Sequence, residues 1–523
     1  SGYIKSNKIE NQCVDFENKI KNAGGLDLQL LGIGRNGHIG FNEPGSIESS
    51  VTRKVKIELT TRFDAASEFG GINNVPKDAI SMGIKTIMNA KRVLLVAWGD
   101  GKAKIIKKSI EEDENEIVPA SFLQKHNNCL FILDKESSSQ LNRMNCPWVF
   151  TDITKKPSTS LSSTIIGWTD FHIKKAVIWL SLKKNKPILQ LTDEDYHENG
   201  MGGIFEKYIS AYETNIKAFN MIQNNITGWP GGKPNADDLN RPERARPSKK
   251  RVLIFSPHPD DDVISMGGTF DRLVSQGHEV HVVYQTSGNI AVSNSDVLKF
   301  LEVINSTFPN FNGQNKELIS LLKNNTEIIN NPRVREIAAT IREKESLAAT
   351  RFIGIPDKNV HFLKLPFYET GGIKKLIPNN LDLKLTTKII SKIKPHQIYA
   401  AGDLADPHGT HKVCLDILFD AFTKLKDESF MKDCWVWLYR GAWHEWPIHE
   451  IDMAVPMSPF QVLRKRKAIF YHQTQKDNVM FQGDDNREFW VRTEDRNRAI
   501  AKKFRDIGMS DYSAIETFKR YHF

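Results

Sequence analysis

Short apolar runs alternate with helix-like segments along most of this chain, and that alternation is typical of α/β domains. In the first part of the chain, apolar runs of strand length occupy residues 26–33, 92–98 and 129–133. A second α/β pattern begins at Lys250, with a predicted strand at 251–255, a predicted helix from about residue 264 and a further predicted strand at 279–284. The pattern therefore predicts two α/β domains.

The segment between the two predicted domains has a different composition. Tryptophan and lysine recur at helix-like spacing within residues 146–228, which predicts a small helical connector. Prolines and glycines crowd residues 229–249 and forbid a long helix or a central strand there, so we interpret that stretch as a linker. The predicted organisation is a first domain at 1–145, the connector, the linker and a second domain at 250–523.

The 523 residues carry a formal net charge of +9, but the pattern does not favour nucleic acid as a partner. Lysines are scattered, and no zinc-finger or RNP-like pattern accompanies the one short basic cluster at 464–467. A basic surface favours small anionic substrates such as sugar phosphates instead. The chain has no run of about 18 apolar residues, which argues against a membrane protein. Five widely spaced cysteines suggest reduced thiols and a cytoplasmic location.

A polar motif follows the first predicted strand of the second domain and reads Ser256-Pro257-His258-Pro259-Asp260-Asp261-Asp262. Two histidines, His408 and His411, follow another apolar run at 397–401. Ligand sites in open α/β sheets lie at the carboxyl ends of strands, so both groups are predicted on one rim. Imidazole and carboxylate are zinc ligands, and a spare carboxylate beside the metal is a general base. The pattern predicts metal-assisted hydrolysis; the alternative is a plain strand-end turn with an aspartate helix cap.

Together with a predicted helix at 341–349, these motifs resemble the PIG-L/LmbE family of zinc-dependent N-acetylglucosaminyl deacetylases, from about Lys250 to the C-terminus. The resemblance implies a Rossmann-like α/β domain with a mainly parallel sheet and a site for zinc or another divalent metal. It implies further roles for five residues, namely metal ligation by His258, Asp261 and His411, general-base catalysis by Asp260 and oxyanion stabilisation by His408. Three protein ligands would leave one coordination position open for water.

Other features of the second domain leave alternatives open. The segment 293–331, rich in Asn, Lys and Leu, has three possible interpretations: a surface insertion without a functional role, a lid over the site or an oligomer contact. The aromatic run Tyr439 to Trp446 lines a sugar-stacking wall or belongs to the core. The acyl group removed is on a simple amino sugar or on a conjugated or polymeric sugar.

In the first domain, a predicted strand leads into a glycine-rich loop within residues 24–44. Glycines at 32, 34, 37 and 40 let the backbone approach a ligand closely. His38 and Glu43 lie in the same loop, and an imidazole beside a carboxylate is an acid/base pair suited to sugar ring opening and proton transfer.

The full string resembles the signature of the glucosamine-6-phosphate deaminase (NagB) family, whose fold is a NagB/RpiA-like Rossmann-type domain. The resemblance implies that His38 opens the pyranose ring, assisted by Glu43 and Asn36, and that Lys102 binds the substrate phosphate. Where the family has a phosphate-binding arginine, the best alignment gives Glu68, with Arg62 a possible substitute. Asn36 stands where some members have aspartate.

The family's first strands, with a phosphate-binding loop and a proton-abstracting aspartate, have no counterpart before Gly24. We therefore expect an incomplete deaminase domain in a fragment or processed form of a longer protein. The sequence as a whole predicts a bifunctional hydrolase of amino-sugar catabolism that acts on small substrates and forms a homo-oligomer. The second domain is expected to hydrolyse an N-acetylglucosamine derivative, and the first domain, if completed by the missing residues, to convert glucosamine-6-phosphate to fructose-6-phosphate and ammonia. The alternative is a non-catalytic sugar-phosphate sensor or oligomerisation module fused to an active deacetylase.

Overall fold

The computed structural model describes residues 6–66, 69, 72–149, 168–308, 312–324, 331–370, 375–402, 409–441, 444–476 and 487–523. The chain divides into two compact units, Ser1–Lys155 and Lys156–Phe523. Both units combine helices with parallel strands, which confirms the predicted α/β class.

The described residues of the first unit form five α-helices and five strands. The helices are α1 (Ser6–Asn22), α2 (Leu59–Ala65), α3 (Ile84–Met88), α4 (Ala103–Glu111) and α5 (Asn142–Asn145). The strands are β1 (Gln29–Leu31), β2 (Arg53–Lys56), β3 (Asp78–Ser81), β4 (Val93–Ala97) and β5 (Cys129–Leu133). Strands β1, β4 and β5 form a parallel sheet in that order, while β2 and β3 form an antiparallel pair.

The core of the first unit lies on one face of its parallel sheet. Alternate residues of β4, including Val93 and Leu95, are buried there because successive side chains of a strand point to opposite faces. Ile39, from the glycine-rich loop, and Ile106, from α4, pack into the same cluster. The core therefore holds the loop that follows β1 against the sheet.

The second unit contains thirteen described helices and seven described strands. The helices are α6 (Asp170–Lys184), α7 (Asp193–His197), α8 (Ala211–Gln223), α9 (Asp261–Ser275), α10 (Asn294–Thr307), α11 (Asn312–Asn324), α12 (Pro332–Ile353), α13 (Asn380–Ile393), α14 (Thr410–Leu425), α15 (Ser429–Lys432), α16 (Pro459–Phe470), α17 (Gln473–Lys476) and α18 (Phe489–Asp506). The strands are β6 (Arg251–Ser256), β7 (Glu279–Tyr284), β8 (Val360–Phe362), β9 (Gln397–Ala401), β10 (Trp435–Tyr439), β11 (Met453–Met457) and β12 (Ala514–Tyr521).

These seven strands form one sheet in the order β11-β12-β10-β9-β6-β7-β8. The pairings from β10 to β8 are parallel, and β12 pairs antiparallel with both β10 and β11. The predicted, mainly parallel sheet is confirmed. Strand β6 is buried from Val252 to Ser256, as expected for a central strand covered on both faces.

Helix α9 begins at Asp261, three residues before the predicted start. Pro257 and Pro259 cannot donate to a sheet ladder, so β6 ends at Ser256 and the chain turns directly into the helix. The helix is kinked at Met266. The buried carboxylate of Glu516, on β12, accepts hydrogen bonds from the backbone N–H groups of residues 268 and 269 just beyond the kink. The motif at 256–262 thus occupies the first helical turn as well as the loop.

The second unit also includes most of the predicted connector and the predicted linker. In the connector, helix α6 carries Lys174, whose Nζ donates to the carbonyl oxygen of Ile451. In the linker, residues 229–249 form neither helix nor strand, but the side chain of Glu243 is buried. Helices α10 and α11, in the segment 293–331, pack on α12 through an apolar cluster of their own. No helix in the described ranges has both the length and the apolar character needed to cross a membrane.

Candidate active sites

In the second unit, three donor atoms of the predicted metal ligands meet at the carboxyl ends of neighbouring strands. Nδ1 of His258 lies 3.2 Å from Oδ2 of Asp261 and 3.3 Å from Nε2 of His411. Nε2 of His411 lies 3.1 Å from the same carboxylate oxygen. His258 follows β6, and His411 is the second residue of α14, after β9, which is the parallel neighbour of β6. The fold brings together side chains 153 positions apart.

The three atoms fit a metal ion in both chemistry and spacing. Two imidazole nitrogens and one carboxylate oxygen form a donor set that zinc accepts. Tetrahedral coordination with ligand bonds of about 2.0–2.1 Å places neighbouring donors about 3.3 Å apart, close to the separations found here. His258, Asp261 and His411 could therefore hold one metal ion.

The carboxylate of Asp261 is oriented by its own loop. Its Oδ2 atom accepts a hydrogen bond of 2.8 Å from the backbone N–H of His258. Burial alone would raise the pKa of Asp261, but the charges and hydrogen bonds of His411 and His258 outweigh burial and bring that pKa well below its usual range. Asp261 is thus an ionised carboxylate with two imidazoles against it.

Asp260 lies at the N-cap position of α9, yet its side chain makes no capping hydrogen bond. Its Oδ2 atom instead lies 3.2 Å from Nη2 of Arg342, on α12. Burial raises the pKa of Asp260, and the positive charge of Arg342 opposes that effect. The simple alternative of an aspartate helix cap is therefore wrong for Asp260.

Asp262 lies in a buried polar cluster and is not one of the three candidate metal-binding residues. It accepts hydrogen bonds from the hydroxyl of Tyr284 at 3.0 Å and the hydroxyl of Ser256 at 3.2 Å. Burial raises its pKa to about 7 although these hydrogen bonds oppose the rise. The Asp262 side chain therefore stabilises the motif loop through its hydrogen bonds to Ser256 and Tyr284.

His408, predicted to stabilise an oxyanion, lies outside the described residues. In the aromatic run, Tyr439 and Trp446 are buried, and each donates to a backbone carbonyl, that of Phe255 and of Leu438 respectively. These two aromatic residues belong to the core, which favours the core alternative over a sugar-stacking wall.

In the first unit, the glycine-rich loop gathers His38, Asn36 and Glu43 into one cluster. Nδ1 of His38 lies 2.7 Å from Oδ1 of Asn36 and 3.3 Å from Oε2 of Glu43. The amide nitrogen of Asn36 donates to the same Glu43 oxygen at 2.7 Å. Gly34 makes this arrangement possible, because a Cβ atom there would lie only 2.1 Å from Cε1 of the His38 ring.

The hydrogen bonds in this cluster favour an ionised carboxylate. Burial would raise the pKa of Glu43, but hydrogen bonds from His38, Thr61 and Asn36 outweigh it and lower that pKa to about 2. A carboxylate that remains charged beside an imidazole can orient the ring and stabilise its protonated form. The pair is suited to proton transfer at a bound sugar.

The two predicted phosphate-binding side chains make contacts to backbone carbonyls. Nζ of Lys102 donates to the carbonyl of Ile33 at 2.8 Å, and burial lowers the pKa of this lysine. Nη2 of Arg62 donates to the carbonyl of Ile72 at 3.1 Å. Lys102 therefore contacts the loop that carries His38, whereas Arg62 contacts the turn after α2. Glu68 lies outside the described residues.

Sequence reasoning assigned no role to three side chains that the structure adds to these sites. Arg342 contacts Asp260, Glu58 accepts a 2.9 Å hydrogen bond from the amide of Asn36, and the hydroxyl of Thr61 lies 3.2 Å from Nδ1 of His38. Arg342 lies on the predicted helix at 341–349, to which the resemblance drew attention, but no local pattern indicated its partner.

Two family models match the chain, one in each unit. The model for glucosamine-6-phosphate isomerases/6-phosphogluconolactonases matches residues 3–132, which include the His38 loop. The model for GlcNAc-PI de-N-acetylases, PIG-L, matches residues 253–422, which include all three candidate metal-binding residues. Both resemblances found in the sequence are confirmed, and so is the fold that each implies.

Comparisons with individual proteins agree with this division. The putative glucosamine-6-phosphate deaminase-like protein of Bacteroides thetaiotaomicron is 46% identical over 531 residues, covering 99% of this chain and 78% of that protein. The glucosamine-6-phosphate deaminase of Mycoplasmopsis pulmonis is 45% identical over 140 residues, covering 26% of this chain and 55% of that protein. The chain spans about half the length of the curated glucosamine-6-phosphate deaminases that it matches.

Among solved structures, the N,N'-diacetylchitobiose deacetylase from Pyrococcus horikoshii is 21% identical to this chain. The match covers 52% of this chain and 84% of that protein, with a TM-score of 0.35.

Proposed function

The chain belongs to the family of glucosamine-6-phosphate deaminase-like proteins, and from that premise we propose that it is a bifunctional enzyme of amino-sugar breakdown. The second unit hydrolyses the N-acetyl group of a glucosamine derivative, and the first unit acts on glucosamine-6-phosphate. The observation that carries the proposal is the meeting of His258, Asp261 and His411 beside a further buried carboxylate, that of Asp260.

In the second unit, His258, Asp261 and His411 would hold a divalent metal, with zinc favoured by the two imidazole nitrogens. A bound zinc ion supplies a Lewis acid that polarises a carbonyl group and makes water acidic near neutral pH. Asp260 accepts a proton from the attacking water and delivers it to the departing amine as the C–N bond breaks. Acetate and a free amino sugar are the products, and His408 is proposed to stabilise the oxyanion.

In the first unit, His38 assists opening of the pyranose ring, with Glu43 and Asn36 holding its imidazole in position. The proposed reaction is an isomerisation that moves the double bond to C2 as an imine, followed by addition of water to that carbon and loss of ammonia, which gives fructose-6-phosphate. It differs in kind from the hydrolysis in the second unit, although both reactions concern the nitrogen at C2. Lys102 and Arg62 are the proposed phosphate-binding residues.

The hydrolase is tested by following acetate release from N-acetylglucosamine and N-acetylglucosamine-6-phosphate before and after treatment with a chelator. We expect release to stop on metal removal and to return when zinc is added back. Asp260→Asn should still bind the metal but should no longer release acetate. Glu336→Gln, which changes an exposed carboxylate on α12, is the matched control and should keep both the metal and the activity. Acetate release that persists in the fully metal-free protein would refute the proposed hydrolysis.

The first unit is tested separately with glucosamine-6-phosphate, since its chemistry involves no metal-binding residue. We expect fructose-6-phosphate and ammonia to form with or without chelator, and to disappear in His38→Ala and Glu43→Ala. Calorimetry on the same samples measures binding. Binding without turnover would reject the deaminase and favour the sugar-phosphate sensor.

A further inference from the structure

We propose that Arg342 is a positioning residue for hydrolysis, which acts by fixing the carboxylate of Asp260. This inference rests on the proposed function of the second unit. Nη2 of Arg342 lies 3.2 Å from Oδ2 of Asp260, and the two side chains are 1% and 8% exposed. A charge pair this deeply buried is weakly screened by solvent, so removing one partner leaves an uncompensated buried charge.

Close packing confines the guanidinium of Arg342 on its side of the motif. Gly288, in the loop after β7, has a φ of +62°, and a Cβ atom at this position would lie 3.1 Å from Nε of Arg342 and 2.9 Å from Cδ of Pro259. The glycine therefore lets the β7 loop lie directly against both the arginine and the motif proline. A larger residue at position 288 would push the β7 loop away from Arg342 and Pro259.

Helix α12 is anchored one turn further along. The carboxylate of Glu345 accepts two hydrogen bonds from Thr474, one from the backbone N–H at 2.7 Å and one from the hydroxyl at 2.8 Å. Both groups are buried. Because Glu345 follows Arg342 by three residues on the same helix, this contact also restricts how far Arg342 can move.

The chemistry of the motif explains why a fixed cation is needed. Asp260, Asp261 and Asp262 are consecutive and all buried, so their carboxylates repel one another. Two of them are held by other partners, the two imidazoles for Asp261 and the two hydroxyls for Asp262. Arg342 holds the third. The contact at Oδ2 holds that oxygen towards Arg342 and leaves Oδ1 to accept the proton from water.

Arginine suits this task better than lysine does. Its guanidinium is planar, remains charged at every physiological pH and donates from a rigid fork, whereas a lysine ammonium is a mobile point charge. We therefore expect Arg342→Met to lower kcat for acetate release by about 100-fold with little change in KM, and Arg342→Lys to recover part of that loss. Arg351→Met, at an exposed position on the same helix, is the matched control and should change neither constant.

The decisive experiment combines Arg342→Met with Asp260→Asn and measures kcat, KM and bound metal per chain in all four proteins. If Arg342 acts through Asp260, the double variant should be no slower than Asp260→Asn alone. Equal fold losses in the two backgrounds would overturn the proposal, because Arg342 would then act independently of Asp260. Loss of metal in both Arg342→Met and Arg342→Lys would overturn it as well. The rate of acetate release by the wild type tests the proposed hydrolysis alone. Failure of the proposed hydrolysis can therefore be distinguished from failure of the role proposed for Arg342.

Discussion

The buried carboxyl group of Glu243 should make the stability of the protein depend on pH. Glu243 lies in the segment 229–249 and is 2% exposed. One of its oxygens accepts a 2.9 Å hydrogen bond from the hydroxyl of Thr227, and the other has no hydrogen-bond partner among the residues described. Burial raises the pKa of Glu243 from 4.5 to about 7, although Thr227 and the charges of Arg241 and Lys250 oppose the rise.

The sign and size of the effect follow from the two pKa values. Between pH 4.5 and 7 the folded protein keeps a proton that the unfolded chain has lost, so the free energy of unfolding falls as the pH rises. Below 4.5 both states are protonated, and above 7 both are ionised. The difference between the two pKa values corresponds to about 3 kcal/mol, the destabilisation expected at pH 8. Glu243→Gln should remove it, because a neutral amide can still accept from Thr227.

The assay is urea unfolding followed by tryptophan fluorescence at pH 5 and pH 8. Glu243→Gln should resemble the wild type at pH 5 and be more stable than the wild type by up to about 3 kcal/mol at pH 8. Glu336→Gln, which changes an exposed carboxylate, should follow the wild type at both values. A Glu243→Gln variant that is less stable than the wild type at pH 8 would refute the reasoning.

Three further outcomes are expected. Metal analysis should find that His411→Ala has lost its metal, since only two of the three donors remain, whereas Asp260→Asn retains it; metal loss in the Asp260 variant alone would contradict the roles given. Lys465→Met should lower the free energy of unfolding by about 3–5 kcal/mol, because it leaves the 1% exposed carboxylate of Glu516 without its cation. Lys467→Met, at an exposed position on the same helix, is the control. A decrease of less than about 1 kcal/mol in Lys465→Met would be inconsistent with a buried charge pair. Gly34→Ala should abolish fructose-6-phosphate formation without unfolding the chain, since the new Cβ would overlap the His38 ring; retained turnover would remove His38 from the proposed site.

Much of the fold was predictable because local signals were strong. Strands β5, β7 and β9 coincide with their predicted runs, and β6 agrees to within one residue. The start of α9 was less predictable. Two prolines ended β6, but nothing local indicated that the helix would begin directly at Asp261, where a carboxylate of β12 stabilises the backbone just beyond a kink. The position of that kink depends on a contact between residues about 250 positions apart.

In the candidate sites, too, contacts between residues close in sequence were predictable and contacts between distant residues were not. His258 and Asp261 lie three residues apart, so their proximity follows from the loop itself. Gly34 and His38 are likewise close in sequence, and the glycine pattern indicated a crowded loop. Arg342 was not predictable, because its pairing with Asp260 spans 82 positions and depends on how α12 packs beside the sheet. A single basic residue on a helix carries no local signal of its partner.

By itself, the sequence determined the α/β class, the two motif loops and the kinds of donor atom they present, because strand periodicity, prolines and glycines act over a few residues. Only the tertiary structure decided which of these donors meet. It put His411 against His258 through the adjacent parallel strands β9 and β6, and it put Arg342 against one of three consecutive carboxylates. The physical reason is that burial of apolar faces fixes the order of strands and helices, and that order sets the distances on which metal binding and proton transfer depend.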